Sequence, residues 1–317
     1  MTGFLRRNFW VIGLAALLGL LLIATKLIQP NFGASGLESL ARAALPFAFA
    51  TAAMTVVVIA GGIDLSVAAV MAVAGVTSAV LMRDWGVEGT IPAVLVVLAA
   101  GAVMGAINGA AIVISRAPDI VVTLAMLFVW QGVALLILNG PGGTATPWLR
   151  EVILGGVPGV AWLPQATVVL AVALAVIWVP LIRSRLGLSI YAIGSDQTAA
   201  FRSGIAIGPT RVVAYAIAGV FAAMGGLSLT LSTGVGEPIP GPYLLAAVAA
   251  VVLGGVALTG GVGGLLGPIL AVMILRVVRL DLTLLQVDPN VTTIIEGTIM
   301  VVVVMIGGLI ALRGKRA

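Results

Sequence analysis

Residues 60–66 read Ala-Gly-Gly-Ile-Asp-Leu-Ser and separate two long apolar runs, 42–60 and 65–82, with almost no loop between them. A helix needs about 20 apolar residues to cross a hydrocarbon core about 30 Å thick, and both runs are near that length. An ionisable group such as Asp64 is costly at membrane depth and marks a functional hypothesis. The stretch therefore predicts two membrane helices that meet at a glycine break beside a buried carboxylate. Asp64 either caps the second helix or contacts a substrate.

The composition excludes an ordinary soluble protein. The 317 residues are 61% hydrophobic and 9% charged, whereas a soluble domain carries about 25% charged residues. The chain has no His and no Cys, which excludes a Ser-His-Asp triad and sites liganded by Cys or His. Aromatic residues make up 5% and no basic run is long, which argues against nucleic acid. We expect no metal and no cofactor.

The hydropathy pattern predicts an all-α integral membrane protein of about ten transmembrane helices, some of them glycine-broken half-helices, with both termini cytoplasmic. The chain forms one polytopic domain, 1–317, with 9–28 as a peripheral first span and 183–210 as the long inner loop. The predicted spans are 9–28, 42–60, 65–82, 91–115, 119–139, 166–182, 211–232, 244–258, 265–280 and 291–312.

The distribution of Lys and Arg orients these spans, because such residues are in excess on the cytoplasmic side. The predicted cytoplasmic face carries ten: Arg6, Arg7, Arg116, Arg183, Arg185, Arg202, Arg211, Arg313, Lys315 and Arg316. The predicted outer face carries six: Lys26, Arg42, Arg83, Arg150, Arg276 and Arg279. Glu296 is expected inside a span.

The inner loop contains a predicted short helix over 195–204. Ser195 is the expected N-cap, Asp196 suits the first turn, Arg202 the last, and Gly204 the C′ position. A two-turn helix does not form alone, so it either lies on the membrane or docks into a partner. The residues expected at this contact are Ser195, Asp196, Ala199, Ala200, Phe201, Arg202 and Gly204.

A second glycine break follows the eighth apolar run, with Gly254-Gly255 and then Gly260-Gly261. Its order of an apolar run, a Gly-Gly pair and a second apolar run is the same as around Gly61-Gly62. Paired breaks of this kind indicate discontinuous helices beside a translocation path. The run is not a nucleotide fingerprint, since Leu266 stands where a third glycine is required. The sequence contains no P-loop motif.

Polar and aromatic side chains inside the spans are candidates for a solute path. Each can equally hold a neighbouring helix or pack in the bundle. The candidates are Phe49, Asn108, Thr123, Trp130 and Gln131. The glycines at 101, 105 and 109 form a stripe that favours close helix packing.

Several ordered motifs resemble the ribose-type sugar permeases of ATP-binding-cassette importers. The family signature is similar to Gly61-Gly62-Ile63-Asp64-Leu65-Ser66-Val67, its cytoplasmic loop to Tyr191–Ile205, and its C-terminal glycine motif to Ala249–Gly263. The resemblance covers about residues 43–310. It implies a permease of the bacterial inner membrane, whose coupling helix maps onto 195–204.

The resemblance also implies partners. These are cytoplasmic ATPase subunits, a periplasmic solute-binding protein and a second permease chain, identical or not. ATP hydrolysis in a separate subunit would explain the missing P-loop. The expected cargo is a sugar, a polyol or a related neutral solute, with nucleosides as a neighbouring possibility.

Two other classes remain open. An ion-coupled secondary transporter would need a coupling-ion site, for which Asp64 with Glu296 is the only candidate pair. A membrane-embedded enzyme would have to rely on a carboxylate or on Lys26 or Lys315.

Overall fold

The computed structural model describes residues 2–314, with side chains at all of them except 2–8, 161, 303–304 and 306–314. The predicted cytoplasmic cations Arg6, Arg7, Arg313, Lys315 and Arg316 lie outside these described side chains. The helices in the first half are α1 (Thr2–Ile28), α2 (Ala34–Ile59), α3 (Val67–Trp85), α4 (Thr90–Ser115), α5 (Asp119–Ile137) and α6 (Pro147–Leu154).

The second half contains eight further helices. They are α7 (Gln165–Ala173), α8 (Val179–Arg183), α9 (Arg185–Ser195), α10 (Gln197–Arg202), α11 (Ile207–Thr233), α12 (Tyr243–Leu253), α13 (Leu266–Leu284) and α14 (Pro289–Gly314). A π-helical turn, Leu174–Trp178, joins α7 to α8 within the predicted sixth span.

Seven helices among the described residues are long and apolar enough to cross a membrane: 9–28, 34–59, 67–85, 90–115, 119–137, 165–183 and 207–233. The three remaining predicted spans coincide with α12, α13 and α14. Helix α12 has only 11 residues, and α13 carries three charged residues between its middle and its end. The structure thus confirms a helical, multi-span membrane fold, whereas the count of ten and the side of the termini stay predictions.

Helix α11 occupies the centre of the bundle and packs against α2, α3 and α4. The α4 glycine stripe lies directly on it, because a methyl group at Gly101 would come within 2.5 Å of Gly219 O. A methyl group at Gly105 would overlap the Tyr215 carbonyl. The predicted packing role of this stripe is confirmed, since only glycine lets the two backbones approach so closely.

The segment between α5 and α7 contains the only strands among the described residues of this otherwise helical fold. It contains the short helix α6 and a two-stranded antiparallel hairpin, β1 (Gly156–Val157) and β2 (Val160–Pro164). Backbone hydrogen bonds fasten the segment to the end of α11, with Gly142 N donating to Gly236 O over 3.0 Å and Gly236 N to Gly142 O over 2.8 Å.

Helix α1 lies at the edge of the bundle and buries little of its surface. Two side chains tie it to the second glycine break and to α13. The Trp10 indole donates to Leu253 O over 2.9 Å, and Thr25 Oγ1 donates to Asp281 Oδ1 over 2.7 Å. The predicted peripheral first span is therefore attached at both ends.

The end of the ninth predicted span was placed too early. The span was expected to stop at residue 280 with its charges facing the outer solution, but α13 continues to Leu284. Arg276 and Asp281 are each 9% exposed and lie inside the helix, not in an outer loop. The helix continues because the ion pairs and hydrogen bonds of these residues are made within the bundle.

Candidate functional site

The short helix α10 has a cap at each end. The Asp196 carboxylate accepts from the backbone N–H groups of Thr198 at 2.8 Å and Ala199 at 2.9 Å, which makes Asp196 the N-cap. The predicted N-cap, Ser195, is instead the last residue of α9, where its hydroxyl donates to Tyr191 O over 2.9 Å. Asp196 is the N-cap in place of Ser195 because the helix begins one residue later than the sequence predicts.

The C-terminal end of α10 has the predicted glycine. Gly204 adopts a φ of 82°, and its N–H donates to Phe201 O over 3.0 Å. Ile205 N donates to Ala200 O over 3.1 Å, which completes a Schellman motif. Arg202 lies in the last turn as predicted.

Helix α10 is exposed along almost all of its length. Ala200 is buried at 4% exposure against the body of the protein, whereas Phe201 is 70% exposed. Phe201 is therefore the large apolar side chain that this short, doubly capped helix presents at the surface.

Directly beneath α10, three segments distant in sequence meet backbone to backbone. A methyl group at Gly194, the penultimate residue of α9, would overlap the Ile59 carbonyl and lie 2.6 Å from Gly261 N. A methyl group at Gly260 would lie 2.8 Å from Gly61 Cα. Gly261 N donates to Ile59 O over 2.9 Å and closes the contact. We call these four glycines, together with Ile59 O, the glycine junction.

The glycine junction joins the first break, residues 60–66, to the second break, residues 254–265. Gly61, Gly260 and Gly261 have φ of 82°, 87° and 71°, a region that disfavours side chains. Tyr191, also on α9, adds a side-chain link by donating to Gly263 O over 2.7 Å. The exposed helix is therefore connected through α9 to both glycine-broken regions at once.

A buried chain of hydrogen bonds runs from the first break into α4 and α5. Asp64 Oδ1 accepts from Ser66 N at 2.8 Å and from Ser66 Oγ at 2.6 Å. Ser66 Oγ accepts from Asn108 Nδ2 at 2.7 Å, and Asn108 Oδ1 accepts from the Trp130 indole at 2.9 Å. The residue in the N-cap position of α3 is Ser66, so Asp64 bonds to the cap residue and does not itself occupy the cap position.

The Asp64 carboxyl is 3% exposed. Burial away from water raises the pKa of Asp64 to about 6, in spite of the two hydrogen bonds from Ser66. The group therefore titrates close to neutral pH.

Thr123 fastens the same break from the α5 side. Its hydroxyl accepts from Leu65 N at 3.1 Å and lies 3.2 Å from Ile63 O. Gly62, in the same break, has no room for a side chain, because an added methyl group would lie 2.8 Å from the Tyr215 hydroxyl. That hydroxyl donates to Asp119 Oδ2 over 2.8 Å.

The remaining path candidates lie elsewhere. Phe49 is 2% exposed in the apolar core. The Gln131 amide donates to Pro238 O, in the connection between α11 and α12. Of the five predicted path residues, the structure joins Asn108 to Trp130 directly, and Thr123 of α5 is hydrogen-bonded to the loop of the first break.

Sequence reasoning missed the ion pair of Asp119 with Arg211, whose atoms Oδ2 and Nη2 are 3.3 Å apart. It also missed the bond from Tyr215, four residues after Arg211, to the same carboxylate. One signal could have revealed both: Arg211 and Tyr215 lie one turn apart on the same face of α11. Their partner on α5 cannot be read from that spacing.

Comparison with known proteins identifies the family. The profile described as "Branched-chain amino acid transport system / permease component" matches residues 36–304. The chain belongs to this family. It is a multi-pass protein of the bacterial inner membrane and a permease component of a transport system.

Three relatives are similar to this permease over 80–94% of its length. The ribose import permease protein RbsC of Escherichia coli (strain K12) is 30% identical over 298 residues, 92% of each chain. The protein of that name from Bacillus subtilis (strain 168) is 31% identical over 256 residues, 80% of this chain and 78% of its own. The autoinducer 2 import system permease protein LsrD of Escherichia coli O9:H4 (strain HS) is 28% identical, covering 94% of this chain and 92% of its own. No solved structure matches this permease.

Proposed function

We propose that this permease is the membrane subunit of an ATP-driven importer for a sugar, a polyol or a similar neutral, hydroxylated solute. The observation that carries the proposal is the exposed, doubly capped helix α10 lying on the glycine junction that joins both broken regions. Import of ribose and of autoinducer 2, as named for the relatives, supports a solute rich in polar oxygen atoms.

In this proposal a cytoplasmic ATPase subunit docks onto α10. Phe201 enters a pocket of the partner while Arg202, in the last turn, contacts its polar rim. The sequence has no P-loop, so the ATP-binding groups belong to the partner. Docking here places α10, and with it the segment 183–210, in the cytoplasm.

The junction then acts as a mechanical link. Displacement of α9 moves Gly194, which has no free space on either side between Ile59 O and Gly261 N. Close-packed backbones transmit such a shift because they cannot be compressed. The first and second breaks would move together, and helices that start and stop at those breaks would open to one side of the membrane and close to the other.

Asn108, Trp130 and Thr123 carry the movement of the first break onto α4 and α5. Their polar side-chain atoms form hydrogen bonds with other groups of the protein. In this proposal they position helices beside the path and do not contact the solute directly.

The other partners follow from the same proposal. A periplasmic solute-binding protein delivers the cargo at the face opposite α10, and a second permease chain, of the same or a related sequence, completes the path. Large apolar side chains exposed on α4 and α5, such as Leu95 at 62% and Phe128 at 69%, supply surfaces for lipid or for that second chain.

Uptake into energised membrane vesicles tests the proposal. Labelled ribose serves as the first probe, with the ATPase and the binding protein present. Uptake that continues after the ion gradient is collapsed, and stops when ATP is removed, supports the importer. Loss of uptake on collapse of the gradient, with ATP still present, contradicts it.

Phe201→Asp tests the docking site, because Phe201 is exposed and its loss leaves the core untouched. We expect ATP hydrolysis without uptake, in a permease that still reaches the membrane. Ala200→Asp is a poorer probe, since Ala200 is buried and a carboxylate there also disturbs the packing of α10. Normal coupling in Phe201→Asp would remove the docking assignment.

The ion-coupled alternative loses its candidate pair. Asp64 bonds to Ser66, whereas Glu296 pairs with Arg276 and Arg279. The two carboxylates belong to separate clusters.

A further inference from the structure

A second polar cluster lies inside the bundle, away from the glycine junction. It combines buried Arg276 of α13 with buried Glu296 of α14, next to the rings of Phe47 on α2 and Tyr243 on α12, and Arg279 pairs with Glu296 from the exposed side. Arg276 and Glu296 are 9% and 7% exposed. Buried ionisable groups in membrane helices are costly and mark solute or ion paths.

The depth of the cluster fits a solute site. Arg276 lies ten residues into α13, which begins beside the second break, and Phe47 lies twelve residues before the end of α2. At a rise of about 1.5 Å per residue, both are roughly 15–18 Å from the breaks. In the proposed importer the breaks lie beneath α10 at the cytoplasmic face, so the cluster lies about half of a 30 Å hydrocarbon core away from that face. Transporters bind their solutes near the midplane.

The polar groups of the cluster are incompletely bonded. Arg279 Nη1 lies 2.9 Å from Glu296 Oε2, an ordinary charged hydrogen bond, but Arg276 Nη2 is 3.5 Å from Glu296 Oε1. Thr292, one turn before Glu296 on the same helix face, is 3% exposed. Its hydroxyl has no hydrogen-bond partner among the side chains that the structure describes.

The guanidinium of Arg276, the carboxylate of Glu296 and the hydroxyl of Thr292 together suit a ligand that carries hydroxyl groups. A guanidinium only donates hydrogen bonds and a carboxylate only accepts them, whereas a hydroxyl does both and can bridge Arg276 to Glu296. The unpartnered hydroxyl of Thr292 adds a third contact. An aromatic wall stands beside them, because the Phe47 and Tyr243 ring centroids are 4.2 Å apart and the Arg276 guanidinium lies 4.0 Å from the Phe47 centroid.

We propose that Arg276, Glu296 and Thr292 form a recognition subsite for the hydroxyl groups of a neutral polyhydroxylated solute, walled by Phe47 and Tyr243. The subsite rests on the proposed import function and adds to it the residues that select the cargo. It lies apart from α10 and from the polar chain of the first break, so its failure can be observed separately.

The sharpest test is Thr292→Val in the assembled transporter. The probes are labelled ribose, xylose, galactose and myo-inositol, and the reporter is the probe that the wild type imports fastest in the presence of ATP. Valine keeps the shape of threonine and removes only the unpartnered hydroxyl. We expect import of the reporter to fall about tenfold, the worth of one hydrogen bond of about 1.4 kcal/mol, with an unchanged melting temperature. Thr293→Val, at an exposed neighbouring position, is the matched control and should import normally.

Arg276→Lys separates recognition from a structural ion pair. Lysine keeps the charge beside Glu296 but loses the guanidinium fork. Recognition predicts a changed order of import rates among the four probes, whereas a structural pair predicts wild-type rates for all of them. Arg42→Lys, in the separate Arg42–Glu38 pair, should leave the order unchanged.

Wild-type import by Thr292→Val, together with an unchanged order of probes in Arg276→Lys, would overturn the subsite while leaving the importer intact. If the wild type imports none of the probes with ATP, the proposed function is lost and the subsite with it. The Phe201→Asp variant tests the importer separately from the subsite. If it hydrolyses ATP without uptake while Thr293→Val and Arg42→Lys import the probes in the wild-type order, the importer is supported whatever the subsite variants show.

Discussion

The first and second breaks share one local design and differ in their surroundings. Helix α2 ends in a Schellman motif, with Gly61 at a φ of 82° and Gly62 N donating to Val57 O over 3.0 Å. Helix α12 ends in the same way, with Gly255 at the same φ and Val256 N donating to Val251 O over 3.2 Å.

The contacts of the two glycines are not equivalent. Gly61 faces the backbone of Gly194, whereas Gly255 faces the side chain of Trp10, where a methyl group would lie 2.7 Å from Cδ1. The first break spans seven residues and holds a buried hydrogen-bond chain, while the second spans twelve. A shared backbone motif therefore fixes how a helix stops, and the neighbouring elements decide how tightly the break is held.

The largest effect is expected at the point where both breaks meet. Gly194→Ala forces a methyl group into the Ile59 carbonyl, and backbone on both sides leaves it no room. Overpacking of this kind costs about 1–3 kcal/mol or more, so we expect a lower melting temperature and lost uptake. Gly132→Ala is the control, because nothing lies within 4 Å of the added methyl group. Wild-type behaviour of Gly194→Ala would show that the breaks are not rigidly joined.

The next effect distinguishes the two breaks. Gly61→Ala and Gly255→Ala each place a side chain in the left-handed region, at a cost of about 1–2 kcal/mol. Only Gly255→Ala also meets Trp10. The changes in the free energy of unfolding caused by Trp10→Ala and Gly255→Ala should therefore differ from additivity by about 0.5 kcal/mol or more. Those caused by Trp10→Ala and Gly61→Ala should be additive. Thermal unfolding of the three single and two double variants measures this, and equal coupling in both pairs would refute the distinction.

An effect of similar size tests the polar chain found only in the first break. Ser66→Ala leaves Asn108 Nδ2 without its acceptor in a buried place, which costs about 1–3 kcal/mol. The melting temperature should fall, whereas Ser189→Ala, with its hydroxyl bonded near the surface to Arg185 O, should change it little. Equal melting temperatures for the two variants would mean that the chain adds no rigidity.

The smallest effect is a pH dependence of the first break. The pKa of Asp64 in the folded protein, about 6, lies above its ordinary value of 3.8. Protonation therefore favours the folded state, and this stabilisation is full below the ordinary value and lost as the pH rises through about 6. The melting temperature of the wild type should rise from pH 7.5 to pH 5 relative to that of Asp64→Asn, which does not titrate. A constant difference between the two proteins would contradict the raised pKa.

Much of the fold was predictable from the sequence because lipid leaves few choices. Apolar runs of about 20 residues have to be helical, and a helix lies at each of the ten predicted positions. The glycine break at 61–62 and the C′ glycine at 204 were also readable, because left-handed backbone favours glycine. The hairpin at 156–164 was not, since it is too short to give a clear alternation.

The site was only partly predictable because its parts come from distant segments. The motifs around Gly61, Gly194 and Gly260 were each recognisable, but no local pattern states that they touch. The same holds for Arg276 and Glu296, which were assigned to the outer face and to a span. Helical periodicity tells which residues share a face, and it does not tell which helix that face meets.

The attachment of α1 has a consequence for synthesis. Trp10 and Thr25 bond to Leu253 and Asp281, partners that follow them in the chain by 243 and 256 residues. At about 5–20 residues per second, the ribosome needs roughly 10–50 s to supply them. During that time α1 has to remain in the bilayer on its hydropathy alone, and its final docking is among the last steps by which the newly made chain matures.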